Sequence, residues 1–155
     1  MRLEVIPAGM DHVASVAARM RQADRDEVMA SSGSTPHEAL MISLSKSTEA
    51  WTAILDGRPE VMFGVVSTSV LGGTGIAWLL GTDTAVESPA LFLRQTLRWR
   101  QKLFGRYDVL RNFVDDRNEV SKRWLGWMGA IFSDPAPIGV NGEMFRLFEL
   151  RRPDV

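Results

Sequence analysis

Few side chains in this sequence are equipped for chemistry. There are no cysteines, which excludes thiol catalysis, disulfides and Cys-ligated zinc. The two histidines, His12 and His37, lack a nucleophile and a carboxylate at the spacing of a hydrolytic triad, and they are too few for a His-rich metal site. His37 follows Pro36 at a helix start and His12 falls in the opening turn of another helix, so both read as helix-end residues. Tyr107, the one tyrosine, closes a basic stretch and reads as an amphipathic residue at a core edge. That stretch, 94–106, carries Arg94, Arg98, Arg100, Lys102 and Arg106 around Trp99 and could face nucleic acid or an acidic protein. A solvated helix is the better account of it, because a net charge of −1 shows no global pull toward polyanions and no nucleic-acid motif accompanies it. The five tryptophans fill a core on the plain reading, and any left exposed on the last helix would mark a contact surface.

Chemistry here depends on what the surrounding elements bring together. At 155 residues, 45% hydrophobic and 24% charged, the chain is expected to form one globular domain, 1–155. No apolar run approaches the ~18 residues of a membrane span, and the opening MRLEVIPAG lacks the apolar core of a signal peptide. Leu3 to Ile6 reads as a strand. Val13, Val16, Ala17 and Met20 mark one face of a first helix, whose other face, Arg19 to Glu27, reads as a solvated charge coat. Thr35-Pro36-His37-Glu38 has the cap, the proline and the reciprocal glutamate of a helix start. A meander follows: Glu49 to Leu55, the turn Asp56-Gly57, Val61 to Thr68, and an apolar, central strand Ile76 to Leu80. The next helix, about Ala90 to Arg106, has Leu93, Leu97, Phe104 and Tyr107 as its core face.

The last segment is the most patterned. Val109 to Val114 is rich in β-formers, and Asp115-Asp116 ends it. Val120, Trp124, Trp127, Met128 and Ile131 then lie on one helical face expected to pack on the sheet. Asn118 or Asp116 can cap that helix, Asp116 having Glu119 at capping-box spacing, and Gly129 stands where the helix stops. Ile138 to Val140, the turn Asn141-Gly142 and Met144 to Leu150 read as a closing hairpin. Together these elements give an α+β fold, a mixed, mostly antiparallel sheet flanked by about four helices.

The strand, Asn118, Ser121 and Gly129-Ala130 order resembles the last βαβ segment of the GNAT (Gcn5-related N-acetyltransferase) fold. From Leu93 to Leu150, Tyr107-Asp108, Asn118, Gly129-Ala130-Ile131-Phe132 and Phe145-Arg146-Leu147-Phe148 resemble the internal virion (core) protein A family of short-tailed bacteriophages. The first resemblance implies an acyl-CoA wedge beside the fourth strand. Leu79, Leu80, Gly81, Thr82 and Asn118 would contact the cofactor, and Glu49, Asp83 or Glu87 would serve as general base. It also implies a tyrosine proton donor in the last helix. That stretch offers Trp124, Leu125 and Trp127, which leaves Tyr107 as the only phenol. The diphosphate loop would be Asp83 to Pro89, which has no glycine, carries two acids and loses an N–H donor at Pro89. The phage resemblance implies a morphogenesis or virion-associated protein. It would act in the host cytoplasm or the virion on phage or host proteins, using the fold as an assembly module with a degenerate acyl-CoA site and no required cofactor or metal. The alternative is an active acyl-CoA-dependent N-acetyltransferase, using acetyl-CoA to modify an amine of a small molecule or protein.

Overall fold

The computed structural model describes residues 2–69 and 71–153. In chain order the elements are β1 (Leu3–Pro7), α1 (Met10–Ala18), α2 (Gln22–Ser32), α3 (Pro36–Lys46), β2 (Glu49–Leu55), β3 (Arg58–Ser67) and β4 (Thr74–Gly81). They continue with α4 (Thr84–Glu87), α5 (Pro89–Leu103), β5 (Val109–Asp115), α6 (Glu119–Trp127), β6 (Ile131–Phe132), β7 (Ala136–Pro137) and β8 (Met144–Arg151). The strands form one sheet in the order β1-β2-β3-β4-β5-β8-β6, with β7 also on β8. Among the described residues only the β4–β5 pair is parallel. The α+β architecture and the central place of β4 are as expected. The helices among the described residues number six rather than about four. The first long helix breaks because the chain extends at Met20 to bridge Thr82 of the sheet, and a single-turn helix, α4, precedes α5.

Local chemistry explains where elements begin. Thr35 accepts from the Glu38 N–H at 3.2 Å while the Glu38 carboxylate accepts from Thr35 N–H at 3.4 Å, so two of the orphan donors of α3 are satisfied. Asp56 and Gly57 have φ of 48° and 83°, the left-handed pair that lets a two-residue turn match the twist of β2 and β3. The β2–β3 register shifts between Ala53, opposite Val61, and Ile54, opposite Pro59, which leaves Glu60 as the extra residue of a bulge. The bulge turns the Glu60 side chain inward, where it is 1% exposed. Arg19 and Arg58 donate to it at 2.9 and 2.8 Å, as does the Thr82 hydroxyl. Asn118, not Asp116, caps α6, accepting from Ser121 N–H at 3.3 Å. Asp116 instead pairs with Lys122 and Arg146.

The sheet is packed on both faces. On one, Val13, Val16 and Leu40 of α1 and α3 cover Met62 and Leu80. On the other, Phe92 of α5 meets Ala53 and Val61, while Phe104 and Tyr107 meet Val65, Leu110 and Leu150. Three expectations are corrected. Leu97 is 41% exposed and Phe92 is the buried residue of α5, because the covered stripe of that helix runs through Phe92, Thr96, Trp99 and Leu103 and Leu97 lies beside it; Phe104 and Tyr107 are buried as expected but follow the helix. Ile131 leaves the helix for β6 and is 64% exposed, and no residue of α6 is fully buried. Ile138 to Val140 form no strand; β6 and β7 pair with β8 instead.

This packing predicts unequal costs for two leucines. Leu40→Ala should lower stability by roughly 3 kcal/mol in urea denaturation, because it empties a sealed core site. Leu97→Ala should change it by no more than about 0.5 kcal/mol. Equal losses would restore Leu97 to the core.

Candidate functional site

The site begins where two strands part. β4 and β5 pair over three positions only, Thr74–Val109, Gly75–Leu110 and Ile76–Arg111. The Asn112 amide then donates to the Ala77 carbonyl at 2.9 Å, and the strands separate beyond it. β4 stays in register with β3 as far as Gly81, and β5 stays with β8 as far as Asp115. The carbonyl of Ala77 and both backbone groups of Gly81 point away from β3. By the two-residue period of a strand, the N–H and C=O of Leu79 point the same way, into the gap. A cavity of about 590 Å³ occupies the gap and is lined from both faces of the sheet. Thr96, Val120 and Trp124 line it from α5 and α6, and Val28, Ile42 and Phe113 from the opposite side. The half-buried apolar side of α6 faces this space, which is why that helix has no sealed core residue.

The head of the cavity is polar. Arg21 and Asp24, expected on a solvated face, are buried, and they line the cavity together with Glu27. Asp24 accepts from the Gly81 N–H at 3.0 Å, and the Arg21 N–H donates to the Gly81 carbonyl at 2.9 Å, so α2 supplies the partners that β5 has withdrawn. The Arg21 Nη2 donates to Asp24 Oδ1 at 2.8 Å, to Ser121 Oγ at 3.2 Å and to Asn118 Oδ1 at 3.4 Å. Glu27 Oε1 accepts from the Asp115 N–H at 2.7 Å. The spacing of residues 21, 24, 27 and 28 keeps the charged groups on the same stripe as buried Val28. That coincidence of charge with an apolar stripe was the available signal, and a reading that coats helices with charge passes over it.

Burial raises the Glu27 pKa to about 7; the Asp115 N–H opposes this, and the carboxylates of Asp24 and Asp115 reinforce it. Burial also raises Asp115, but the hydrogen bonds and charge of Arg117 outweigh it and hold that carboxyl below its ordinary range. Among the described residues no group of three or more His, Cys, Asp or Glu is placed to hold a metal ion.

The residues named from sequence fall in three places. Leu79, Leu80, Gly81 and Thr82 line the cavity, and Asn118 lies buried at its head, its amide 3.5 Å from Asp24 Oδ1. Asp83 and Glu87 are exposed beside α4, outside the lining. Glu49 and Tyr107 lie at the closed end of the β4–β5 pair. There the Tyr107 hydroxyl meets Ser67 Oγ at 2.8 Å and Glu49 pairs with Arg106. Gly75 makes room for that buried ring, since a Cβ there would lie 3.2 Å from it.

No family model and no curated protein matches the sequence. Solved structures do. The chain is similar to an acetyltransferase of the GNAT family from Streptococcus pneumoniae, with 16% identity, 96% of this chain and 98% of that one covered, and a TM-score of 0.65. It is similar to an N-acetyltransferase from Staphylococcus aureus Mu50, with 12% identity, 97% and 99% coverage and a TM-score of 0.69. It is also similar to YncA from Salmonella typhimurium, assigned as an acetyltransferase and solved with its cofactor acetyl-CoA, with 10% identity, 97% and 94% coverage and a TM-score of 0.71. The fold is that of the GNAT acetyltransferases. Nothing in these neighbours supports the likeness of residues 93–150 to phage virion proteins.

The environment of Glu27 makes stability depend on pH. Its folded pKa lies above the unfolded value, so the folded chain holds the proton more tightly. Stability should therefore fall as pH rises from about 4.5 to about 7, then level off. Glu27→Gln should remove this slope. Chemical denaturation of both proteins across that range checks it, and parallel curves would mean a solvated carboxyl.

Proposed function

We propose that the protein is an acetyl-CoA-dependent N-acetyltransferase. The observation that carries this reading is the parting of β4 and β5 around a cavity into which the Leu79 backbone points and Glu27 faces. A gap between strands leaves an N–H and a C=O that an extended amide-bearing chain can pair with, as a further strand would. The pantetheine arm of acetyl-CoA has that form, and α6 offers Val120, Trp124 and Leu125 along it. Acetyl-CoA supplies the activated acetyl group. Glu27, poised near pH 7, takes the proton of the acceptor amine, with Asp24 and Asp115 favouring a cationic acceptor in the same space.

The loop where the diphosphate would lie fits less well. α4 spends the N–H groups of Val86, Glu87 and Ser88 on its own turn, Pro89 has none to give, and Asp83 and Glu87 are exposed acids. Affinity on this reading comes from the wedge and is weakened by the loop. A second reading, a phage assembly module bound to virion or host proteins, is favoured by two exposed apolar side chains, Trp127 at 51% and Ile131 at 64%. The basic face of α5 would then be a contact for acidic protein or nucleic acid.

Isothermal titration with acetyl-CoA separates the two. One-site binding is expected. Asp83→Asn with Glu87→Gln should tighten it by roughly three- to tenfold at low ionic strength, an advantage that fades with salt. Val120→Trp, which fills the wedge, should abolish it. No binding by any of these proteins up to millimolar ligand would leave the assembly reading.

A turnover profile tests Glu27. The value of kcat/KM for an amine acceptor should rise with pH through an apparent pKa of about 7, and Glu27→Gln should lose both the rise and most of the rate. A variant that keeps the wild-type profile would remove Glu27 from the proton path.

A further inference from the structure

The cavity carries opposite charges at its two ends. Asp24 and Glu27 line its head, with Asp115 beside them. On the side where α3 covers the sheet, Ala39, Ser43 and Lys46 line it at the spacing of one helix face. Ala39 shares a core cluster with Val28, the neighbour of Glu27, so this stripe runs away from the head. The helical rise from Ala39 puts Lys46 about 10 Å further along. β5 supplies a second cation on the same face. Arg111 and Phe113 alternate with Asn112, and Phe113 lines the cavity on the α3 side. Arg111 lies about 13 Å along the strand from the Asp115 N–H that Glu27 accepts. Lys46 and Arg111 are exposed, and among the described residues neither makes an ion pair. Glu149, opposite Arg111 on β8, is held instead by Arg151 at 2.8 Å.

Between the charged ends the walls are apolar and fixed. Trp78 packs over Gly64, where a Cβ would lie 2.9 Å from its Nε1, and that Nε1 donates to Ser47 Oγ at 2.7 Å. Ile42 of α3 and Phe113 of β5 present exposed apolar surface to the same space. A polyamine in this space would meet like charge at the far end. An amine that also carries an anion is attracted at both ends and can lie in one direction only.

We propose that the acceptor is an acidic amine: a primary amine joined through an apolar or peptide body to a carboxylate about 10 Å away. This rests on the acetyltransferase reading. The amine nitrogen bonds the acetyl carbon, the carbon–sulfur bond breaks with its electron pair on sulfur, and the nitrogen's surplus proton passes to Glu27. The carboxylate takes no part in the transfer and stays on Lys46, with Arg111 beyond it.

The test compares acceptors of matched length at saturating acetyl-CoA: ω-aminocaprylate, n-octylamine and octamethylenediamine. The wild type should favour ω-aminocaprylate over the diamine by roughly tenfold in kcat/KM at low ionic strength, a gap that narrows with salt. The shorter γ-aminobutyrate, which cannot reach both ends, should lose the advantage. Lys46→Gln should shrink the preference and Lys46→Glu should invert it toward the diamine, with Arg111→Gln acting in the same direction as Lys46→Gln. Both side chains are exposed, so these variants are read in a folded protein. Trialanine, whose extended termini stand about 10 Å apart, separates a peptide source of this chemistry from an alkyl one. Equal kcat/KM for the acid, the amine and the diamine, or a preference that survives Lys46→Glu, overturns the proposal alone. So does binding of acetyl-CoA without transfer to any of the acids. Failure to bind acetyl-CoA, with no transfer to any acceptor, overturns both this proposal and the acetyltransferase reading.

Discussion

Two strands that stop pairing inside a sheet set the terms for everything around them. Beyond Ile76, β4 has no strand on its β5 side, and a buried backbone group left without a partner costs about 1–3 kcal/mol. The molecule meets this cost at both ends of the gap and not in its middle. The Asn112 side chain takes Ala77 at the narrow end, and Arg21 and Asp24 take Gly81 at the wide end. Leu79 is left between them. A structure that only needed stability would have closed the gap, so the unpaired stretch is what the surrounding helices are arranged to preserve.

Arg21 and Asp24 are buried for the same reason. Their charges are expensive to desolvate and are tolerated because they pair with each other, Asp24 also accepting from the Gly81 N–H and the Arg21 guanidinium donating to the Asn118 and Ser121 side chains. Among the described residues Glu27 has no such ion-pair partner, and its carboxyl answers by holding a proton up to about pH 7. Glu60 is the opposite case: burial works against its charge, but Thr82, Arg58 and Arg19 more than compensate, so its carboxyl stays ionised below the ordinary range. Two glutamates near one strand end thus differ in protonation through their partners alone. That contrast separates the acid that titrates from the acid that ties β4 to α1.

Periodicity and turn chemistry made most of the architecture legible. The Thr35 cap, the Asp56-Gly57 turn, the central place of Ile76 to Leu80 and the Asn118-headed helix all follow from local rules and are all present. What local rules miss is nonlocal. The break between α1 and α2 comes from a bridge between Met20 and Thr82, 62 residues apart in sequence, and no propensity at Met20 announces it. The stripe on α6 suggested a sealed core face, but it borders a cavity, and a half-filled space uses the same residue types as a filled one. The phage resemblance rested on the order of aromatic and glycine residues in 93–150, and nothing in the solved neighbours supports it.

The bulge at Glu60 has a consequence for how this chain can vary. Side chains along a strand alternate faces, so one inserted residue resets which face every later residue meets. With Glu60 as that residue, the Asp56-Gly57 hairpin and the run Val61 to Ser67 follow independent phases. Changes at the hairpin tip stop at the bulge and do not propagate to Val61 or Met62, against which β4 is registered. Drift can therefore accumulate at that end of the sheet without moving the walls of the cavity. A single-residue deletion at Glu60 would remove the bulge, leave Pro59 opposite Ile54 and Val61 opposite Ala53 in regular alternation, and take away the carboxylate to which Arg19, Arg58 and Thr82 donate.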